Sequence, residues 1–225
     1  MSDIIREVDE ELRRERMMKL WDRYGVYVVA VAVLVVLAVG GWRVWEWYSA
    51  REAAKSSVQF ESAIALGNDG KRTEAEAAFN TLAKDGTSGY RLLARFRAAG
   101  EAAKVNRESG VAVYDALAAD SSLENVFRDF ARVQAALLLV DTASVAEIKS
   151  RMEPLITPSS AFRNSARELI GLAHYRIGER EAAAKQFAAI VADPEAPPSM
   201  RSRAQVLAAL LAGEMGGSAP ATASQ

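Results

Sequence analysis

The sequence predicts an all-α protein: a single N-terminal transmembrane helix, then an α-solenoid of about four helix–turn–helix units and a capping helix. Three observations carry that expectation. Residues 24–42 (YGVYVVAVAVLVVLAVGGW) hold no charge and lie between Arg23 and Arg43. The rest of the chain is rich in Ala, Leu, Glu, Arg and Lys, which favour helix over sheet. That remainder also matches itself four times, at spacings of 35, 38 and 35 residues.

Residues 1–23 read as a charged cytoplasmic helix. Asp9–Arg13, Glu10–Arg14 and Glu15–Lys19 are acid-before-base pairs four residues apart, which support a solvated helix. Ile5, Val8 and Leu12 fall on one narrow face.

Residues 24–42 read as the membrane anchor. A helix of this length, at about 1.5 Å per residue, spans roughly the 30 Å hydrocarbon core of a bilayer. A buried core helix would be apolar on one side, whereas this run is apolar all round. Trp21, Tyr24 and Tyr27 frame one end, and Trp42, Trp45, Trp47 and Tyr48 the other. Such rings suit the headgroup region, where an apolar body carries a polar edge. A cleaved signal peptide is the competing reading, since Ala38-Val39-Gly40 has the small-x-small form of a cleavage site. Against it stand the long charged segment before the run and the length of the run itself. Arg6, Arg13, Arg14, Arg16, Lys19 and Arg23 precede the span, and only Arg43, Arg51 and Lys55 follow closely. That bias predicts a cytoplasmic N-terminus and an exported domain at 43–215.

The exported domain carries the repeat. Its four stretches are 79–85 (FNTLAKD), 114–120 (YDALAAD), 152–158 (MEPLITP) and 187–193 (FAAIVAD). Each begins with a large apolar residue (Phe79, Tyr114, Met152, Phe187) and has an aliphatic three positions on (Leu82, Leu117, Leu155, Ile190). Ala75, Gly110, Ile148 and Ala183 lie four residues before each start, and the small Ala63, Ala98, Ala136 and Gly171 lie sixteen before. Small residues let paired antiparallel helices approach, and the large residue fills the gap to the next unit. Gly70 and Gly178 fall where the turns between paired helices are expected. Residues 200–215 supply a last helix to cover the open end. Residues 216–225 (GGSAPATASQ) have no apolar face and read as a disordered tail.

These positions resemble the tetratricopeptide repeat over about 48–215. The fourth unit (Gly171, Gly178, Ala183, Phe187) and the first (Ala63, Gly70, Ala75, Phe79) match best. The second and third are degenerate, with Ile148 and Met152 replacing the usual small and aromatic residues. The resemblance implies a binding scaffold and names no ligand.

The sequence offers little for catalysis, so no enzyme and no cofactor is expected. There is no cysteine and one histidine, which argues against a typical zinc site. His174 falls where such repeats place a bulky core residue, so a packed imidazole is expected. No G-x-S-x-G or P-loop string occurs. Residues 49–225 balance 21 basic against 21 acidic side chains, so no global field draws nucleic acid to the domain.

One charge pattern stands out. Basic residues four apart recur on the first helix of successive units: Arg51/Lys55, Arg91/Arg95, Arg128/Arg132 and Arg163/Arg167. Each pair shares one helix face. Two readings follow. Acids on neighbouring helices pair them, with Glu124, Asp129 and Glu168 as expected partners, or they form a cationic ladder along the concave face that meets a polypeptide.

The whole layout resembles the ancillary SecYEG translocon subunit family, the YfgM-like membrane-anchored tetratricopeptide repeat proteins, in its alphaproteobacterial form. The opening SDIIREVDEELRRERMMKLWDRYG and the Gly41-Trp42-Arg43 membrane exit carry the likeness. It implies a bacterial inner-membrane protein with a periplasmic domain. Its partners would be the SecYEG translocon, a membrane-anchored periplasmic prolyl isomerase, exported polypeptides and membrane lipid. The alternative is a scaffold for another envelope complex, in division or respiratory assembly, without clients.

Overall fold

The computed structural model describes residues 2–217, with the side chains of that span apart from 2–13, 15, 16, 28 and 215–217. Each of the three N-terminal charge pairs includes a side chain outside the described residues, as does the face formed by Ile5, Val8 and Leu12. The tail expected at 216–225 lies outside them from residue 218 on.

The described residues are nearly all helical and contain no strand. The helices are α1 (Ser2–Asn68), α2 (Arg72–Asp85), α3 (Ser88–Val105), α4 (Arg107–Ala119), α5 (Asn125–Leu139), α6 (Val145–Met152), α7 (Arg163–Arg176), α8 (Arg180–Ala192) and α9 (Pro198–Gly217). A short 3-10 turn, Glu153–Leu155, extends α6. The chain divides into two compact units between Ser56 and Ser57, a point inside the unbroken α1.

In the first unit, every residue from 29 to 48 is exposed. A helix apolar on all sides and covered by no protein is suited to hydrocarbon as its solvent. The stretch is long and apolar enough to cross a membrane. Its flanking rings meet cations: the Arg23 guanidinium lies 5.9 Å from the Tyr24 ring centre, and that of Arg51 lies 5.4 Å from the Trp47 ring. Both distances permit a cation–π attraction.

The second unit holds the repeats. The end of α1 pairs with α2, α3 with α4, α5 with α6, and α7 with α8, and α9 closes the last pair. All sixteen repeat positions named from the sequence are buried. Ala63, Ala75, Phe79, Leu82, Ala94 and Ala98 form one core cluster, in which Phe60 of α1 meets the Phe79 ring at 5.4 Å. Ala136, Ile148, Met152, Leu155 and Ile170 share another, and Ala183, Phe187, Ile190, Ala204 and Leu211 the last. Met152 is fully buried in the place an aromatic holds elsewhere, so the degenerate third unit keeps its packing through a flexible thioether chain.

The turns follow two designs. Gly70 and Gly178 adopt φ of 80° and 82°, the left-handed conformation that favours glycine, and close the first and fourth pairs. The two middle pairs use polar caps instead. The Ser109 amide donates to Asn106 Oδ1 at 3.0 Å, and the Glu147 amide donates to Ser144 Oγ at 3.1 Å. Asn106 alone separates α3 from α4, the tightest connection of the four.

Candidate functional site

The first helices of the second and third pairs enclose a cleft of about 380 Å³. Leu93, Phe96 and Arg97 line it from α3, Phe130 and Gln134 from α5, and Tyr114 of α4 contributes to it. Phe96 is the hub of an aromatic row. Its ring centre lies 5.3 Å from Phe130, 6.4 Å from Tyr114 and 6.5 Å from Phe127. Phe130 continues the row to Phe162 at 6.1 Å. Leu93 and Leu137 are 52% and 51% exposed on these same first helices. Half-buried rings beside exposed leucines can shed more water when a partner covers them, and that supplies a binding drive.

One end of the cleft is ionic. Glu101, almost fully buried, accepts from Arg72 Nη1 at 3.1 Å and from Lys104 Nζ at 2.7 Å. Burial raises its pKa, but the bonds to Lys104 and Arg72 outweigh that and leave it lowered. Glu101 thus ties the start of α2 to α3. Burial pushes the Tyr114 hydroxyl up, so the ring stays neutral.

The arginine pattern takes a different form from a free ladder. The pairs are not in strict register: Arg95 lies three residues before Ala98, whereas Arg132 and Arg167 lie four before Ala136 and Gly171. One residue turns a helix face by about 100°. Arg95 Nη2 donates to Asp120 Oδ2 at 2.5 Å, joining α3 to the end of α4. Arg163 grips Asp193 with two parallel bonds, Nε to Oδ2 at 2.6 Å and Nη2 to Oδ1 at 2.9 Å. Arg167 reaches the same carboxylate at 3.4 Å, and Asn164 donates to it at 3.0 Å. In the third pair Arg132 Nη1 meets Asp129 of its own helix at 2.7 Å, and Arg128 donates to the Asn125 side-chain oxygen. Arg91 is exposed.

Of the three acids expected as partners, only Asp129 answers a ladder arginine. Glu168 pairs instead with Arg203 of α9 at 3.0 Å, and Glu124 offers its backbone carbonyl to the Phe127 and Arg128 amides. Asp120 and Asp193, which carry most of the pairing, close the repeat stretches YDALAAD and FAAIVAD. Their recurrence at the last position of the aligned stretches was the available signal.

These clamps predict acid sensitivity. Hydrogen bonds from Ser122 and then Arg95 hold the Asp120 carboxyl down at about 2. The Arg163 bonds, with the Glu195 amide and Asn164, hold Asp193 well below the usual carboxylate range. A carboxylate depressed by folding stabilises fully above its unfolded pKa of about 4, and that stability is lost as pH falls through the folded value. The thermal midpoint, followed by circular dichroism, is expected to drop between about pH 4 and pH 2. In Asp193→Asn the profile is expected to be lower at pH 7 and flatter in that acid window.

His174 lies where the sequence expected a packed imidazole. Its side chain is 12% exposed, and Nδ1 is 2.5 Å from Glu179 Oε2 across the Gly178 turn. Among the described residues no group of histidine, cysteine or carboxylate side chains is arranged to hold a metal ion.

A family model matches most of the chain that forms these paired helices. A tetratricopeptide repeat-like domain covers residues 18–207. The chain belongs to the tetratricopeptide repeat-like domain family. No curated protein and no solved structure matches it. Tetratricopeptide repeat-like domains are generally protein-binding scaffolds, and the cleft between α3 and α5 is a candidate surface for such binding.

Proposed function

We propose that this tetratricopeptide repeat-like protein is a non-enzymatic, membrane-anchored module that holds polypeptide segments against the first helices of its repeats. The observation that carries this reading is the aromatic cleft between α3 and α5, with Leu93 exposed in its lining and Leu137 exposed on α5, one helical turn after the lining residue Gln134. The anchor is a single inner-membrane pass with a cytoplasmic N-terminus, supported by six basic residues before the span against three after it. Protease added to intact spheroplasts is then expected to digest the repeat domain, and a domain shielded until lysis would reverse the orientation.

The resemblance to the ancillary SecYEG translocon subunits supports a place beside the protein-export channel and a membrane-anchored periplasmic prolyl isomerase, with exported polypeptides as clients. Tethering raises the local concentration of the cleft near the channel without any new contact, so passive binding suffices. A photocrosslinking residue at Leu93 or Leu137 is expected to capture newly exported chains in cells, and one at Lys185 on α8 is not. Capture of one constant set of envelope proteins would favour the scaffold alternative. Equal yields from all three positions would remove the cleft from the account.

A further inference from the structure

The aromatic cleft holds one charge that nothing in the described chain answers. The recurring arginines beside it are held: Arg95 by Asp120, Arg132 by Asp129, and Arg163 and Arg167 by Asp193. Arg97 falls outside that pattern. It is exposed, lines the cleft from α3, and meets no carboxylate among the described residues. The one acid in the lining, Glu101, does not serve it. That side chain is 7% exposed and already holds Lys104 at 2.7 Å and Arg72 at 3.1 Å. With Lys104 cancelled against Glu101, the Arg97 charge is what the cleft presents to a partner.

Two neutral polar groups open on the same space. Neither the Tyr114 hydroxyl nor the Gln134 amide meets a hydrogen-bond partner among the described residues. Both residues are at least half-buried, yet the single side-chain nitrogen or oxygen both sealed from solvent and unpartnered is Arg128 Nε. The hydroxyl and the amide are therefore reachable from outside the chain. Gly100 leaves room for the hydroxyl, which stands 3.5 Å from where a Cβ would sit. The Arg97 charge opposes the rise that burial gives the Tyr114 pKa, so guanidinium and hydroxyl are neighbours. An apolar floor with a few unmet polar groups is the make-up of a binding site.

Spacing restricts the ligand. Leu93 and Arg97 are one helical turn apart, about 6 Å along α3. In an extended chain, side chains two positions apart lie on one side, separated by about 6.6 Å. We propose that the cleft selects extended segments carrying an acidic residue two positions from a large apolar one. The apolar side chain covers Leu93, Phe96 and Phe130. The carboxylate accepts from Arg97 and the Tyr114 hydroxyl, and Gln134 meets the segment's backbone. The inference rests on the protein-binding reading above and names the class of segment bound.

The test titrates the full-length protein, in nonionic detergent, into end-blocked hexapeptides labelled with a neutral dye, and follows fluorescence polarisation. The reference probe is a serine–glycine peptide with one leucine and, two positions on, one aspartate. Its binding is expected to saturate. Asparagine for the aspartate, or serine for the leucine, is expected to weaken it at least fivefold. Arg97→Gln is expected to erase the difference between the aspartate and asparagine peptides at an unchanged thermal midpoint, because the side chain is exposed. Arg91→Gln, which removes another exposed arginine of α3, is expected to keep the difference. No saturable binding, equal binding of the two peptides, a difference that survives Arg97→Gln or one that vanishes in Arg91→Gln would overturn the proposal. Photocrosslinking from Leu93 separates the two readings: exported chains captured equally by the native protein and Arg97→Gln leave the protein-binding function standing and remove only this preference.

Discussion

Gly110→Ala is expected to destabilise the repeat domain by about 3 kcal/mol, although it adds a single methyl group. A Cβ at this position would lie 2.3 Å from Ala103 Cβ and 2.5 Å from Ala103 Cα. No rotamer relieves that contact, because both atoms are fixed to the backbone of α3. The closeness has a cause in the connection. Asn106 is the only residue between α3 and α4, so the two helices meet almost at once. The first and fourth pairs have three connecting residues each and carry Ala75 and Ala183 at the same place; the third carries Ile148. Gly100→Ala is the control. Its Cβ would meet only the Tyr114 hydroxyl, at an ordinary 3.5 Å. Alanine inside a helix is favoured over glycine by roughly 0.5–1 kcal/mol, so this variant is expected to be stabilised. Urea denaturation of both variants measures the contrast. A neutral Gly110→Ala would mean that α3 and α4 can separate at no cost.

Phe187→Ala is expected to cost about 3–5 kcal/mol, the range for removing a fully buried aromatic ring. Phe187 is wholly inaccessible to solvent and packs among Ala183, Ile190, Ala204 and Leu211. The ring also fixes the choice of Gly171. A Cβ there would stand 2.9 Å from two ring carbons of Phe187 and 3.2 Å from Gln186 Cβ. Gly171→Ala alone is therefore expected to destabilise by about 1–3 kcal/mol through overpacking. Combined with Phe187→Leu, the same substitution is expected to cost less than the sum of the two, since the shorter side chain vacates the contested space. Repeat units contact mainly their neighbours, so the loss is expected to spread first to α7 and α9. Hydrogen exchange resolved by helix would read that spread, and uniform loss of protection across the domain would contradict it.

The long apolar helix and the repeat core were legible before any coordinates because both follow from local sequence pattern. An uncharged run of nineteen residues is long enough as a helix to cross a bilayer, and that can be read without the rest of the chain. The small residues at Ala63, Ala98, Ala136 and Gly171 and the large ones at Phe79, Tyr114, Met152 and Phe187 recur at spacings that bring them to one packed seam. Gly70 and Gly178 announced their turns for a similarly local reason, since a left-handed residue is most comfortable without a Cβ. The caps Asn106 and Ser144 were less visible. Polar residues of these types are common between helices, and nothing singles out a cap until the following amides are seen to donate to it.

The candidate site was legible only in part. Recurring arginines could be counted along the chain, but their partners could not. Arg95 and Asp120 are 25 residues apart, and Arg163 and Asp193 are 30 apart. Which acid reaches which arginine depends on where each second helix stops and how the chain leaves it. Glu168 was expected to answer a ladder arginine on a neighbouring helix, yet its side chain turns to Arg203 on α9. The aromatic cleft was missed altogether, because Phe96 stands on α3, Phe127 and Phe130 on α5 and Phe162 in the turn before α7, and they share no single period.

By itself, then, the sequence determined a helix long and apolar enough to span a membrane, the helical hairpins and the side chains that fill their seams, since each is decided by neighbours within a few turns of one helix. Only the tertiary structure decided which charges cancel, that Arg128 lacks the carboxylate its counterpart Arg163 holds, and where rings from separate helices open a cleft. Those outcomes depend on distances set by loop paths and helix crossings, and small changes in either redirect a side chain to another partner.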